Sequence, residues 1–306
     1  MRNTFVDELL NIASHNNKIM LLTGDLGFGV MEKFQEQLPN QFLNCGVAEQ
    51  NMTAIASGLA MSGMIPFTYS IGNFPTFRCL EHIRNDVAYH KLSVKIVSIG
   101  SGFSYGQLGM SHHATEDLSV MRSIPELSVY SPASKDEVKQ ITKNIIEKDG
   151  PAYLRLDKSV GITGINSQNF NFEKATSFMK GDEITVISIG AISEEVYDAC
   201  NALKKESISC DFLSVHSLKP IDKESILKSI KKTKKVITIE EHSIIGGLGS
   251  TISEICSEEC IELLKFKRMG LKDEFSSVVG DQDFLRKYYE IDSKSIYNEI
   301  IKLIKN

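Results

Sequence analysis

The sequence predicts an α/β protein built as two consecutive domains, each formed around a parallel sheet. Three observations carry this. Short β-rich runs alternate with helical stretches along most of the chain, the pattern of strand–helix–strand units. Several runs are apolar at consecutive residues, as strands buried on both faces require. The alternation lapses once, between about Asp157 and Lys180, and then begins again. The chain of 306 residues is long enough for two domains of ordinary size. The expected boundaries are residues 1–160 for the first domain, 161–180 for a linker and 181–306 for the second domain.

The elements follow in order. Phe5, Leu9, Leu10 and Ile12 mark an amphipathic N-terminal segment. Ile19 to Leu22 reads as a strand that ends at Gly24-Asp25. Met52 to Met61 reads as a helix of small residues closed by Gly63. Ile65 to Tyr69 and Val94 to Ile99 read as buried strands. Ser134-Lys135-Asp136-Glu137 has the spacing of a capping box, so a helix is predicted to start there. Tyr153 to Leu156 is the next strand. Gly161, Gly164, Asn166, Ser167, Asn169 and Asn171 then cluster as a linker does. In the second half, Ile184 to Ile189 is a strand and Ser193 is placed to cap the following helix. Ile208 to Val215 and Val236 to Ile239 are further strands. A glycine-rich loop from Glu241 to Gly249 leads into another helix.

Composition excludes several functions. A net charge of −5 without a basic face argues against a nucleic-acid partner. The Lys231–Lys235 run reads as a solvated helix end. No apolar run reaches the roughly 20 residues needed to span a bilayer, so no membrane association is expected. The N-terminus lacks the apolar core of a signal peptide. The six cysteines are scattered, with no Cys-x-x-Cys pair, which fits free thiols in a reducing cytoplasm.

The segment Asn44-Cys45-Gly46-Val47-Ala48-Glu49-Gln50-Asn51-Met52 leads into the small-residue helix. It is similar to a signature of the pyrimidine-binding domain in transketolases and deoxyxylulose-phosphate synthases. The resemblance continues through Gly24-Asp25-Leu26-Gly27, Gly109-Met110-Ser111-His112-His113, Arg122-Ser123-Ile124-Pro125 and Gly150-Pro151. It extends into the second domain at Glu240-Glu241-His242 and Gly246-Gly247-Leu248-Gly249. Each motif alone is weak; together, in order, they resemble a transketolase over nearly the whole chain. The implied architecture is a thiamine-diphosphate pyrimidine-binding domain followed by a transketolase C-terminal domain.

The resemblance implies roles residue by residue. Thiamine diphosphate carries the carbanion chemistry in such enzymes. Glu49 matches the glutamate that donates a hydrogen bond to the cofactor's aminopyrimidine. An apolar pocket favours the protonated carboxyl that this role needs. Asp25 matches the opening of the cofactor domain. Phe74 and Phe77 are the candidates to stack on the aminopyrimidine, and His82 lies where the family often has a Tyr. His112 matches the histidine that faces the donor hydroxyl, where a neutral imidazole can donate a hydrogen bond and shuttle a proton. His113 is expected to point elsewhere on an extended segment. His15, His90 and His216 are expected to be structural, and His242 is assigned to packing or a subunit interface.

The same comparison shows departures. Leu108 stands where the family has an Asp that reads donor hydroxyls. Gly100, Gly29 and Lys158 replace a phosphate-contacting His, Ser and Arg, while Arg2 matches a remaining Arg. Arg and Lys differ at a bidentate site, so the expected substrate is a sugar or sugar derivative other than the usual pentose phosphates. No metal ligands are assigned to this chain. The Gly-Asp-Gly motif of the diphosphate domain is absent. A separate N-terminal-type subunit is therefore expected to supply the Mg2+ and diphosphate site, in a dimer of heterodimers. The competing readings are a 2-oxoacid dehydrogenase β-type subunit, a deoxyxylulose-phosphate-synthase-like half, and a non-catalytic assembly subunit.

Overall fold

The computed structural model describes residues 1–163 and 170–305. Gly164, Asn166, Ser167 and Asn169 of the expected linker lie outside the described residues. The strands are β1 (Ile19–Thr23), β2 (Phe42–Asn44), β3 (Ile65–Ile71), β4 (Lys95–Ile99), β5 (Ser128–Tyr130) and β6 (Ala152–Leu156) in the first half. The second half adds β7 (Thr176–Met179), β8 (Ile184–Ile189), β9 (Cys210–Ser214), β10 (Ser217–Lys219), β11 (Lys235–Ser243) and β12 (Lys265–Leu271). They form one sheet in the order β10-β5-β6-β4-β3-β1-β2 and another in the order β12-β11-β8-β9-β7. Pairing is parallel throughout, except for β10 on β5 and β7 on β9.

The central strands explain their composition. Every residue of β4 and β6 is buried, because helices cover both faces of a parallel sheet. The expected strands and the helix at Ser134 are present. Ser134 caps that helix by accepting from the Glu137 amide. In return Glu137 accepts a bond from the Ala133 amide at 2.6 Å, one residue earlier than a capping box predicts.

Three features differ from the sequence expectation. Part of the expected linker, Thr176–Met179, is the edge strand β7. Ser193 does not cap its helix; its hydroxyl meets those of Ser188 and Ser214 inside the second sheet. The strand β10 leaves the second half of the chain to pair with β5 of the first sheet. Pairing partners distant in sequence leave no local pattern, which is why β7 and β10 escape a reading by periodicity. The two halves also share an apolar core that includes Leu118, Met121 and Leu127 with Leu213, Leu218 and Leu248.

Among the other expectations, Lys231 and Lys232 end a helix in solvent. His15 and His90 are exposed, and His216 is buried against Phe170. No described helix is long and apolar enough to cross a membrane.

Candidate active site

In an open parallel sheet, loops from several neighbouring strands converge at the carboxyl ends of those strands, and ligands bind there. Apart from Arg2, which opens the N-terminal helix before β1, the candidate residues follow such ends. Asp25 and Gly29 follow β1, and Glu49 follows β2. Phe74, Phe77 and Arg78 follow β3, Gly100 to His112 follow β4, and Lys158 follows β6.

Glu49 is the first residue of the helix Glu49–Met61 and is buried. Its Oε2 accepts a hydrogen bond from Arg78 Nη1 at 2.8 Å, and its Oε1 lies 3.3 Å from the Ser70 hydroxyl. The surroundings therefore depart from the apolar pocket expected of them: a cation faces the carboxylate. The Arg78 guanidinium also lies 4.8 Å from the centre of the Phe74 ring, a cation–π arrangement. Phe74 also meets the His112 ring edge-on, with centroids 5.2 Å apart. An unbroken chain of contacts thus runs from Glu49 through Arg78 and Phe74 to His112.

Local bonds fix these loops. Asn73 Nδ2 donates to the carbonyls of Ser111 and His113, tying the β3 loop to the β4 loop. The Ser111 hydroxyl lies 3.0 Å from His112 Nδ1. The segment turns at Gly109–His113 instead of extending, and this separates the two histidines. His113 is buried, bridging Ser276 and the Gly106 carbonyl, while His112 stays at the surface of the cleft. Partial burial, and then the neighbouring His113, holds the His112 imidazole below its ordinary pKa of 6.5.

The remaining candidates are placed as follows. Asp25 is exposed and exchanges two hydrogen bonds with Asn44, which anchors the end of β2 beside β1. Phe77 is exposed on a short turn, and among the described residues no aromatic or cation–π pair joins it to Arg78, Phe74 or His112. His82 is half-buried, and its Nδ1 is buried without a hydrogen-bond partner. Gly29 faces open space, and its amide is held by Glu32. Leu108 is exposed, and Lys158 lies over the ring of Tyr105. Arg2 contacts Asn3. His242 is buried; its Nδ1 meets the Ser243 carbonyl, and its Nε2 accepts from the Ser119 amide. Burial alone would lower its pKa, but the Glu240 carboxylate outweighs that and raises it. Among the described residues, no cluster of three or more His, Cys, Asp or Glu side chains is arranged to hold a metal ion.

The match to known proteins follows this layout. Residues 1–161 match the model of the transketolase pyrimidine-binding domain, and residues 173–296 match that of the transketolase C-terminal domain. The chain belongs to the transketolase family. It is 36% identical over 299 residues to a 6-deoxy-6-sulfo-D-fructose transketolase subunit of Clostridium sp. (strain MSTE9), covering 97% of this chain and 92% of that one. It is 31% identical over 307 residues to an apulose-4-phosphate transketolase subunit of Phocaeicola vulgatus, covering 99% and 97%. A solved structure described as a split-gene transketolase, in an inactive β4 tetramer, superposes with a TM-score of 0.88 at 33% identity. That match covers 99% of this chain and 97% of that one.

Membership in this family implies thiamine diphosphate as cofactor. The residues in place suit its aminopyrimidine. The Arg78 guanidinium already lies over the Phe74 ring while bonding to Glu49, so one hydrogen-bonding group can reach both at once. Two residues were missed from the sequence. Arg78 carries no signal of its own, because it lies 29 positions from Glu49 and meets it only through the loop after β3. Tyr105 was missed for the same kind of reason; it lies 53 positions from Lys158 and packs against Gly100.

Proposed function

We propose that this chain is the subunit of a two-part thiamine-diphosphate enzyme that transfers a two-carbon ketol unit between sugars or sugar derivatives. The observation that supports this reading best is the contact chain Glu49–Arg78–Phe74–His112 at the carboxyl edge of the first sheet. The cofactor, when bound, supplies the carbanion chemistry. Glu49 holds a proton against the aminopyrimidine, and Phe74 supplies the stacking face. To admit that ring, Arg78 releases Glu49; its side chain is 47% exposed, so it has room to swing outward. His112 donates to and accepts from the donor hydroxyl. The first domain, residues 1–160, contributes these groups. The second domain, residues 181–306, buttresses the β4 loop, where His113 reaches Ser276.

A second polypeptide completes the site. It carries the Mg2+ and diphosphate ligands, and the assembly is a cytoplasmic dimer of heterodimers. The surface supports such a partner. Phe28, Val47, Phe77, Leu108 and Met110 are exposed on the loops after β1, β2, β3 and β4. Apolar side chains gathered on one edge mark a protein-binding surface.

Reconstitution tests the reading. The chain alone transfers no ketol unit; with an N-terminal-type subunit, thiamine diphosphate and Mg2+ it does. The pH profile gives a second check. Because the His112 pKa is lowered, the neutral ring persists to more acid pH than in a free histidine. The acid limb of kcat therefore lies below pH 6.5, and His112→Asn abolishes that limb. A limb of the same position in the variant assigns it to another group.

A further inference from the structure

In the loop after β3, one short side chain binds the backbone before and after His112. Asn73 Nδ2 donates to the Ser111 carbonyl at 3.2 Å and to the His113 carbonyl at 2.8 Å. Two carbonyls can be met only by the NH2 end of an amide, so the chemistry fixes which way this side chain is turned. The carbonyl between them, that of His112, lies 3.3 Å from the place a Cβ on Gly72 would take. Gly72 has φ +39°, in the region that favours glycine, and lets the two loops approach this closely. Three consecutive carbonyls around His112 thus rest against two consecutive residues of the loop that carries Phe74.

Each loop is also held by bonds of its own. The Phe74 amide donates to the Ile71 carbonyl at 2.9 Å, which closes a turn with Gly72 and Asn73 in its middle. The Gly72 amide donates to the Ile99 carbonyl, and the Gly72 carbonyl accepts from the Thr76 and Ser98 hydroxyls. In the loop after β4, the His112 amide donates to the Gly109 carbonyl, and Ala114 and Gly102 exchange two backbone bonds. The Asn73 amide joins the two. Its Oδ1 is buried and has no hydrogen-bond partner among the described residues. A buried acceptor left unmet costs stability. Alanine at this position would lose two hydrogen bonds but also remove that cost, so the fold alone gives little reason for the amide. What the amide does supply is a fixed position for the His112 ring.

We propose that Asn73 is a positioning residue for ketol transfer and acts through His112. Its amide keeps the His112 imidazole at a set distance from Phe74. The group that meets the donor hydroxyl and the ring face that takes the aminopyrimidine therefore stay in register. Small displacements of a reacting group are costly in rate. The identity of the reaction rests on the ketol-transfer reading, while the clamp rests on the loop geometry and has a readout of its own.

The test uses the complex with the N-terminal-type subunit, thiamine diphosphate and Mg2+. Asn73→Ala is expected to lower kcat by about 10–100-fold, the range for misplacing a positioned group. Affinity for thiamine diphosphate, measured by calorimetry, changes by less than about threefold. Glu49 is untouched, and Phe74 keeps its own bonds to Ile71 and Cys79. The unfolding midpoint stays near that of the wild type. Asn73→Asp fills the same space without the NH2 donors and slows kcat likewise; it is read in place of Asn73→Ala if that variant does not assemble. Adding Asn73→Ala to His112→Asn costs no further activity, because the ring through which the amide acts is already gone.

The titration of His112, followed by NMR with labelled histidine, is a readout free of turnover. Burial, and then His113, hold the imidazole below its ordinary pKa of 6.5. Without the Asn73 amide the loop lets water reach the ring, and in Asn73→Ala the titration moves up toward 6.5. An unchanged kcat in both Asn73 variants overturns the proposal, as does an unchanged His112 titration. A further loss of about tenfold in the double variant also overturns it, since the amide then acts apart from His112. A fall in kcat matched by equal losses of cofactor affinity and stability marks a structural brace and overturns it as well. If the titration moves but the wild-type complex turns over no ketose, the clamp stands and the ketol-transfer reading fails.

Discussion

Glu49→Gln lowers ketol transfer by the reconstituted complex by about 10²–10⁴-fold, the range for loss of a positioned proton donor or acceptor. Gln keeps the size of the side chain and can still accept from Arg78, but it cannot give up and regain a proton at the cofactor ring. The same variant leaves stability within about 1 kcal/mol, because the ion pair it removes has one half-exposed partner. The two readouts separate chemistry from folding. Thermal unfolding of the variant coincides with that of the wild type, while the transfer rate collapses. Full activity in Glu49→Gln would make this a non-catalytic assembly subunit and end the catalytic reading.

Arg155→Met destabilises the protein by about 3–5 kcal/mol, the cost of leaving a buried charge unpaired. Arg155 lies on β6 and is 2% exposed. Its Nε donates to Asp117 Oδ2 at 2.8 Å, and its Nη2 donates to the carbonyls of Ala114 and Glu241. Asp117 is fully buried and also accepts from the Tyr153 hydroxyl at 2.6 Å. Met fills much of the arginine stem but leaves the Asp117 carboxylate without its cation. A loss of that size is a large fraction of a typical domain's roughly 5–15 kcal/mol, and urea unfolding reads it directly. The double variant Asp117→Asn with Arg155→Met recovers part of the loss, because the uncompensated charge is gone. If the single and double variants unfold at the same urea concentration, the pair does not act as a unit. The consequence reaches the active site, since Ala114 follows His112 and His113 in the loop after β4.

Much of the architecture was legible because it is local. Strands such as β4 and β6 announce themselves as apolar runs, and Ser134 announces a helix three residues ahead of Glu137. The family resemblance named Glu49, His112 and the pair Phe74 and Phe77 as candidates, and the structure brings Glu49, Phe74 and His112 into one chain of contacts. Other assignments depended on tertiary geometry. Phe74 and Phe77 are equivalent in sequence, but only Phe74 lies under Arg78 and beside His112. The Ser111–His113 segment reads as extended, yet it turns and sends the two histidines in different directions. Arg78 carries no signal in the sequence, and Ser193 reads as an ordinary helix cap.

By itself the sequence determined the two α/β halves and the family resemblance, and that resemblance marked Glu49 and His112 as candidates, because short-range periodicity and motif order are properties of neighbouring residues. Only the tertiary structure decided that β10 crosses into the first sheet, that Arg78 stands over Phe74 against Glu49, and that Tyr105 fills the space above Gly100 under Lys158. Those contacts form where loops from separate strands converge, and no local pattern encodes which loops will meet.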